Sequence, residues 1–169
     1  VTFSEAVYNT ESGSGALEAS DFALSISGGT ASLSIISKIG DDINGEAEGD
    51  QSGWSVSLSS DGSVVAIGAY QNDGNGYNAG HVRVYQNVDG TWGQIGNDIH
   101  GEAATDGSGF SVSLSSDGSV VAIGAYLNDG DTDNLYDNRG HVRVYQNVGL
   151  TSSWTQIGQD IDGEAVRDQ

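Results

Sequence analysis

The chain repeats itself, and that repeat limits what it can fold into more than any other feature. Residues 54–70, WSVSLSSDGSVVAIGAY, return as residues 110–126 with only Trp54 changed, to Phe110, and the GHVRVYQNV of residues 80–88 returns unaltered at 140–148. A third element, IGxDIxGEAxxD, starts at Ile39, Ile95 and Ile157, so successive units are spaced by 56 and 62 residues. The six extra residues fall between Tyr126 and Gly140 and between Gln146 and Gln156, and the apolar segments keep their length. Insertions confined to connections mark those segments as the scaffold.

Within one unit, Trp54, Val56 and Leu58 alternate with Ser55, Ser57 and Ser59, the period-two pattern of a strand with one buried face. The apolar residues are expected on that buried face, with Trp54 and Phe110 packed between units. Ser60-Asp61-Gly62 reads as a tight turn, since Asp-Gly tolerates the positive φ of a two-residue hairpin. The returning run from Val64 to Ala69 is apolar on both faces and is expected to be a central strand. GHVRVYQNV supplies a third strand, with Val82, Val84 and Val88 on one side and Arg83, Tyr85 and Asn87 on the other, and a fourth runs from about Trp92 to Ile99. No helical periodicity occurs. The sequence therefore predicts an all-β fold of antiparallel, four-stranded, propeller-like blades. Blade 1 covers 39–94, blade 2 covers 95–156, and a third repeat starts at 157–169. Residues 1–38 differ in kind: VTFSEAVY, DFALSIS and ASLSIISK read as strands between Ser/Gly-rich turns, an N-terminal β segment too small to bury its own core.

Composition removes several functions. With 24 Asp+Glu against 5 Lys+Arg, a net charge of -19, the chain lacks the clustered cations that nucleic acid or an anionic membrane requires. No apolar run approaches the ~18 residues of a membrane span, so membrane insertion is not expected. There is no Cys, hence no disulfide or thiol chemistry, and the absence of Met with Val1 in first place suggests a processed product or an excerpt. Leu, Ile, Val and Phe number 37 of 169 residues, enough to fold around a thin core.

The order SG(W/F)SVSLSSDG, VVAIGAY, GHVRVYQ resembles the FG-GAP repeat of integrin-alpha-like β-propellers. Gly53-Trp54 and Gly109-Phe110 stand in place of the first pair, and Gly68-Ala69-Tyr70 and Gly124-Ala125-Tyr126 in place of Gly-Ala-Pro. The resemblance covers about residues 39–169 and implies an extracellular or cell-surface location. It departs from the family in one respect that bears on metal: the D-x-D-x-D-G calcium loop between the first two strands is replaced by Ser-Ser-Asp-Gly, so that metal site is not carried over. Residues 1–38 resemble part of the Ig-like repeats of large extracellular surface proteins.

Calcium is nevertheless the expected cofactor, at a different loop. NDGDTDNLYDNRG sets Asp129, Asp131 and Asp133 at alternate positions with Asp137 beyond them, and the first unit offers Asp73 and Asn75. Alternate carboxylates on a Gly-rich loop can turn several oxygens toward one hard cation. The triplets Asp42/Glu46/Asp50, Asp98/Glu102/Asp106 and Asp160/Glu164/Asp168 recur at fixed spacing, where capping of strand ends is expected rather than metal binding. Trp92 and Trp154 are the candidate stacking platforms of a glycan site. Catalysis is not expected: His81 and His141 hold the same place in two copies, where a structural hydrogen bond fits, and no catalytic or cofactor motif occurs.

Closed propellers use about four to eight blades, so two blades leave faces uncovered. The expected function is an extracellular structural or adhesive module that self-associates by strand pairing and blade stacking, as a filament or ring, with calcium. A multivalent glycan-binding lectin and a fragment of a larger surface adhesin are the alternatives. The expected partner is a homo-oligomer or polymer, with glycans or other surface proteins as further ligands.

Overall fold

A computed structural model describes residues 38–130, 137–151 and 153–167. The chain divides into a unit from Val1 to Lys38 and a unit from Ile39 to Gln169. The strands expected before Lys38, and Asp131 and Asp133 of the acidic loop, lie outside the described residues.

The second unit is all-β among its described residues, with two antiparallel sheets. In the first, β1 (Ser55–Leu58), β2 (Val64–Ala69), β3 (His81–Val88) and β4 (Thr91–Gln94) lie side by side in that order, and β5 (Ile99–His100) also pairs with β3. The second repeats the plan: β6 (Ser108–Leu114), β7 (Val120–Ala125), β8 (His141–Gln146) and β9 (Thr155–Gln156) in order, with β10 (Ile161–Asp162) on β8. The register is the same in both, Ala66 opposite Val84 and Ala122 opposite Val144. The fourth strand expected over 92–99 is broken: β4 pairs with the C-terminal half of β3, and after Ile95–Asp98 the chain returns as β5 to its N-terminal half. Gly96, at φ 75, stands where the strand turns away.

The hairpin turns are wider than a two-residue loop. Ser59 and Val64 close the hairpin (Ser59 N to Val64 O, 2.9 Å), Gly62 N donates to Ser59 O at 3.0 Å, and positive φ falls on Gly62 alone. Asp61 ties this loop together: its Oδ1 accepts from Ser59 Oγ at 2.7 Å, Ser63 N at 3.0 Å and Ser63 Oγ at 2.8 Å. Asp117 does the same with Ser115 Oγ, Ser119 N and Ser119 Oγ. Hydrogen bonds to the ionised form hold both carboxyls at about 2, the Ser63 amide contributing most at Asp61 and the Ser115 hydroxyl most at Asp117. Both sit below an unfolded value of about 3.9, so the stability they add is present above pH ~4 and is lost as pH falls toward 2. The Asp61→Asn/Asp117→Asn double variant should melt lower than the parent at pH 7, and its melting temperature should change less between pH 4 and pH 2. Thermal melts followed by circular dichroism across that range check this.

The two sheets stack face to face, and the main core lies between them. Val64, Ala66, Val82, Val84 and Ile99 of the first sheet region meet Val121 and Ile123 of the second, with Val112, Leu114, Tyr145 and Trp154 packed around them. A smaller cluster on the opposite side of the first sheet joins Val65, Ile67 and Tyr85 to Ile43 and Trp92. β2 is buried along its whole length, as its two-sided apolar pattern predicts.

Candidate functional site

Because the two sheets carry the same residues, their differences in burial report what each face has for a neighbour. One side of a blade, here the seat face, carries Ser55, Ser57, Val64, Ala66, Gly68, Val82 and Val84 in blade 1. The other, the plug face, carries Val56, Leu58, Val65, Ile67 and Tyr85. The seat face of blade 1 receives the plug face of blade 2, in which Val112, Leu114, Val121, Ile123 and Tyr145 are the counterparts.

This overturns the expected orientation of the first strand. Its serines face the neighbouring blade: Ser55 Oγ donates to Gly109 O at 2.7 Å and Ser57 Oγ accepts from Leu114 N at 3.0 Å. Val56 and Leu58 point away from that neighbour and are 55% and 57% exposed, whereas Trp54, 54% exposed, packs at the edge against Phe110 of that neighbour, 5.7 Å between ring centroids. Period two shows that a strand has two unlike faces; it does not show which has a partner, and a serine face can serve as an interface when its hydroxyls bond to backbone. Trp54 and Phe110 do pack between the units, but at the exposed edge rather than in the buried core. They belong to an aromatic row along one edge of the stack, Trp54 against Tyr70 at 4.9 Å, Tyr70 against Phe110 at 5.5 Å and Phe110 against Tyr126 at 4.3 Å between ring centroids.

The approach of the blades is close enough to require glycine. A methyl group on Gly68 would lie 2.1 Å from Gly109 O, and one on Gly109 would lie 2.5 Å from His81 O. On blade 2 the same seat face is open. Val142, the counterpart of fully buried Val82, is 37% exposed, Ser111 and Ser113 are exposed, and a groove runs beside Ser111, Gly124, His141, Val142 and Ile161. In blade 1 that position is filled by Ser108–Phe110, with Ser108 N bonded to Ala79 O at 3.0 Å.

The residues singled out in sequence fall as follows. Asp73 Oδ1 accepts from Asn78 N at 2.8 Å, and Asn75 Nδ2 donates to Gly101 O at 2.8 Å and Glu102 O at 3.2 Å, so both organise the β2–β3 connection. Asp129 Oδ1 accepts from Asn138 N at 3.0 Å, and buried Asp137 lies 3.5 Å from Arg139 Nη2. Trp92 and Trp154 are half-buried, and their Nε1 groups donate to Ile39 O and Ile95 O, each at 2.9 Å, fastening β4 and β9 to the connector before them. Asp50 and Asp106 act as caps, accepting from Ala47 N and Ala103 N respectively.

The remaining connector acids do something the sequence reading missed. Glu46 Oε2 and Asp98 Oδ2 lie 3.8 and 3.7 Å from His81 Nδ1, and Glu102 Oε2 and Asp160 Oδ2 lie 3.9 and 3.7 Å from His141 Nδ1. Each group takes Glu from the connector entering a blade, His from the blade's third strand and Asp from the connector leaving it. The clue available in sequence was that Glu, His and Asp each recur in register; it went unread because the acids that meet belong to different copies of the motif. His81 is 1% exposed and its Nδ1 has no hydrogen-bond partner, so the hydrogen bond expected there is not made at that atom. Burial, more than any neighbour, pushes both imidazoles below their usual pKa.

These features define a class, a stacked-blade repeat whose units join plug face to seat face through a Ser/Gly contact. A family model of the FG-GAP repeat matches residues 43–85, from the first connector through the middle of β3. Blade 1 thus carries an FG-GAP repeat, of a kind typical of extracellular modules of the adhesion type, and blade 2 repeats its residues. A search of curated proteins finds no match to the chain.

The duplicated sequence allows an internal comparison. Val82→Ala should destabilise the chain by about 2 kcal/mol, from lost apolar burial and the cavity left between blades. Val142→Ala should cost less than half as much in dilute solution. Urea unfolding of the two variants checks the difference; equal losses would mean the seat face of blade 2 is covered.

Proposed function

We propose that the chain is an extracellular structural or adhesive module that self-associates head to tail, the seat face of blade 2 in one copy receiving the plug face of blade 1 in the next. One observation carries this reading: the chain exposes the seat face of blade 2 and, on the plug face of blade 1, Val56 and Leu58, whose counterparts Val112 and Leu114 meet a seat face in the internal contact. Val65, Ile67 and Tyr85 of that plug face are buried with Ile43 and Trp92. Trp54, Val56 and Leu58 stand where Phe110, Val112 and Leu114 stand in the internal contact, and Ser111 and Gly124 stand where Ser55 and Gly68 do. Such a contact is heterologous, closing into a ring or continuing as a filament according to the angle between blades. The Asp129–Asp137 loop and the Asp73/Asn75 loop are the calcium positions in this reading, where a cation would offset part of the -19 charge. The lectin alternative draws no support from Trp92 and Trp154, whose indoles are engaged in packing.

Gly124→Ala separates assembly from folding. Within one chain the added methyl meets only the hydroxyl of Ser111, which can rotate away, whereas at a copy-to-copy contact it would meet backbone, as a methyl on Gly68 meets Gly109 O. Sedimentation velocity should show concentration-dependent association of the parent, its loss in Gly124→Ala and in Leu58→Glu, and unchanged circular dichroism in both. A parent that stays at 17.4 kDa at all concentrations, in calcium and in chelator, would overturn the reading.

A further inference from the structure

We infer that each blade carries a divalent transition-metal site, Glu46–His81–Asp98 in the first and Glu102–His141–Asp160 in the second, distinct from the acidic loops assigned to calcium and independent of assembly. In each, the three ligand atoms lie within 4.8 Å of one another. With metal–ligand bonds of ~2.1 Å at tetrahedral angles, ligand atoms stand roughly 3.4 Å apart. The imidazole-to-carboxylate separations of 3.7–3.9 Å therefore need only a few tenths of an ångström of closure.

The orientation of each carboxylate is already set by a neighbour. Arg83 Nη1 lies 3.6 Å from Glu46 Oε1, and Arg143 Nη1 lies 3.1 Å from Glu102 Oε1. Gln94 Nε2 donates to Asp98 Oδ1 at 2.6 Å, and Gln156 Nε2 to Asp160 Oδ1 at 2.5 Å. Each carboxylate thus gives one oxygen to an outer partner and turns the other toward Nδ1, as supporting groups do around metal ligands. The arginines are anchored in turn, Arg83 Nη2 on Asn44 O at 2.8 Å and Arg143 Nη2 on His100 O at 3.0 Å.

The second observation is His81 itself, a buried side chain whose Nδ1 faces two carboxylate oxygens and hydrogen-bonds to nothing. If that nitrogen carries a proton, 3.7 Å is too long for a hydrogen bond. If it carries a lone pair, three acceptors converge without a donor. A cation at their centre satisfies all three. Nitrogen in the ligand set disfavours calcium, which takes six to eight oxygens, and suits zinc and its neighbours. Glu46 and Glu102 are exposed on the outer side, which leaves an entry path and room for water as a further ligand. The metal would tie the connector entering a blade to the connector leaving it.

Zinc is the probe. Calorimetric titration of the full chain, with bound metal counted after dialysis, should give two Zn²⁺ per chain, retained in excess Ca²⁺. Asp98→Asn should lower the count to one, and Asp98→Asn with Asp160→Asn should lower it to none, with the circular dichroism spectrum unchanged. Zn²⁺ should also shift the ¹⁵N resonance of Nδ1 in His81 and His141. Zinc binding that is absent, or whose count is the same in the double variant, would overturn the inference, the latter marking diffuse attraction to the acidic surface.

Discussion

The structure depends on one contact, the seating of one blade's plug face on the next blade's seat face. VVAIGA is apolar on both sides, so the sheet built around it cannot present either side to water without loss. At the internal contact the solution combines burial of Val64, Ala66, Val82 and Val84 with serine hydroxyls bonded directly to the facing backbone. Glycine is the condition for that approach. Ser55 Oγ reaches Gly109 O only because Gly68 has no side chain between them. The serine alternation, the Gly pairs and the aromatic row at the edge are parts of one interface.

The same logic explains how much could be read from the sequence. The repeat, the central strands and the connections were legible, because two-sided apolar runs and turn residues act locally. The facing of β1 was not, since Ser55 and Ser57 look like solvent residues until a backbone appears opposite them. The break between β4 and β5 escaped because Ile95 and Ile99 continue an apolar alternation across Gly96, and only pairing shows that the two pieces bond to different halves of β3. The alternation with serine places Trp54 and Phe110 between units, and they meet there, but only the fold shows that the meeting is at an exposed edge, in a row that runs across the blades.

The His-centred groups were hidden for a different reason. Spacing within one IGxDIxGEA motif sets Asp98 and Glu102 four residues apart, which suggests that they act together. The fold separates them, sending Asp98 back to His81 and Glu102 forward to His141. Each connector thus serves two blades, and the acidic excess of the chain is partly organised around buried Arg and His rather than spread over the surface. A sequence repeat with function between copies, and not within them, is expected when a structure is built by stacking.

The most direct test of head-to-tail stacking uses the absence of native cysteine. At the internal contact the Ser60 amide and hydroxyl both bond to Ser116 O at 2.9 Å, so stacked copies should bring Ser116 of one against Ser60 of the next. Ser60→Cys and Ser116→Cys chains would be prepared separately, mixed and oxidised, and run on a non-reducing gel. Stacking predicts a mixed disulfide between the two variants at twice 17.4 kDa, and little cross-linking of either variant alone. A mixture that stays monomeric, or that links no better than each variant by itself, would contradict it.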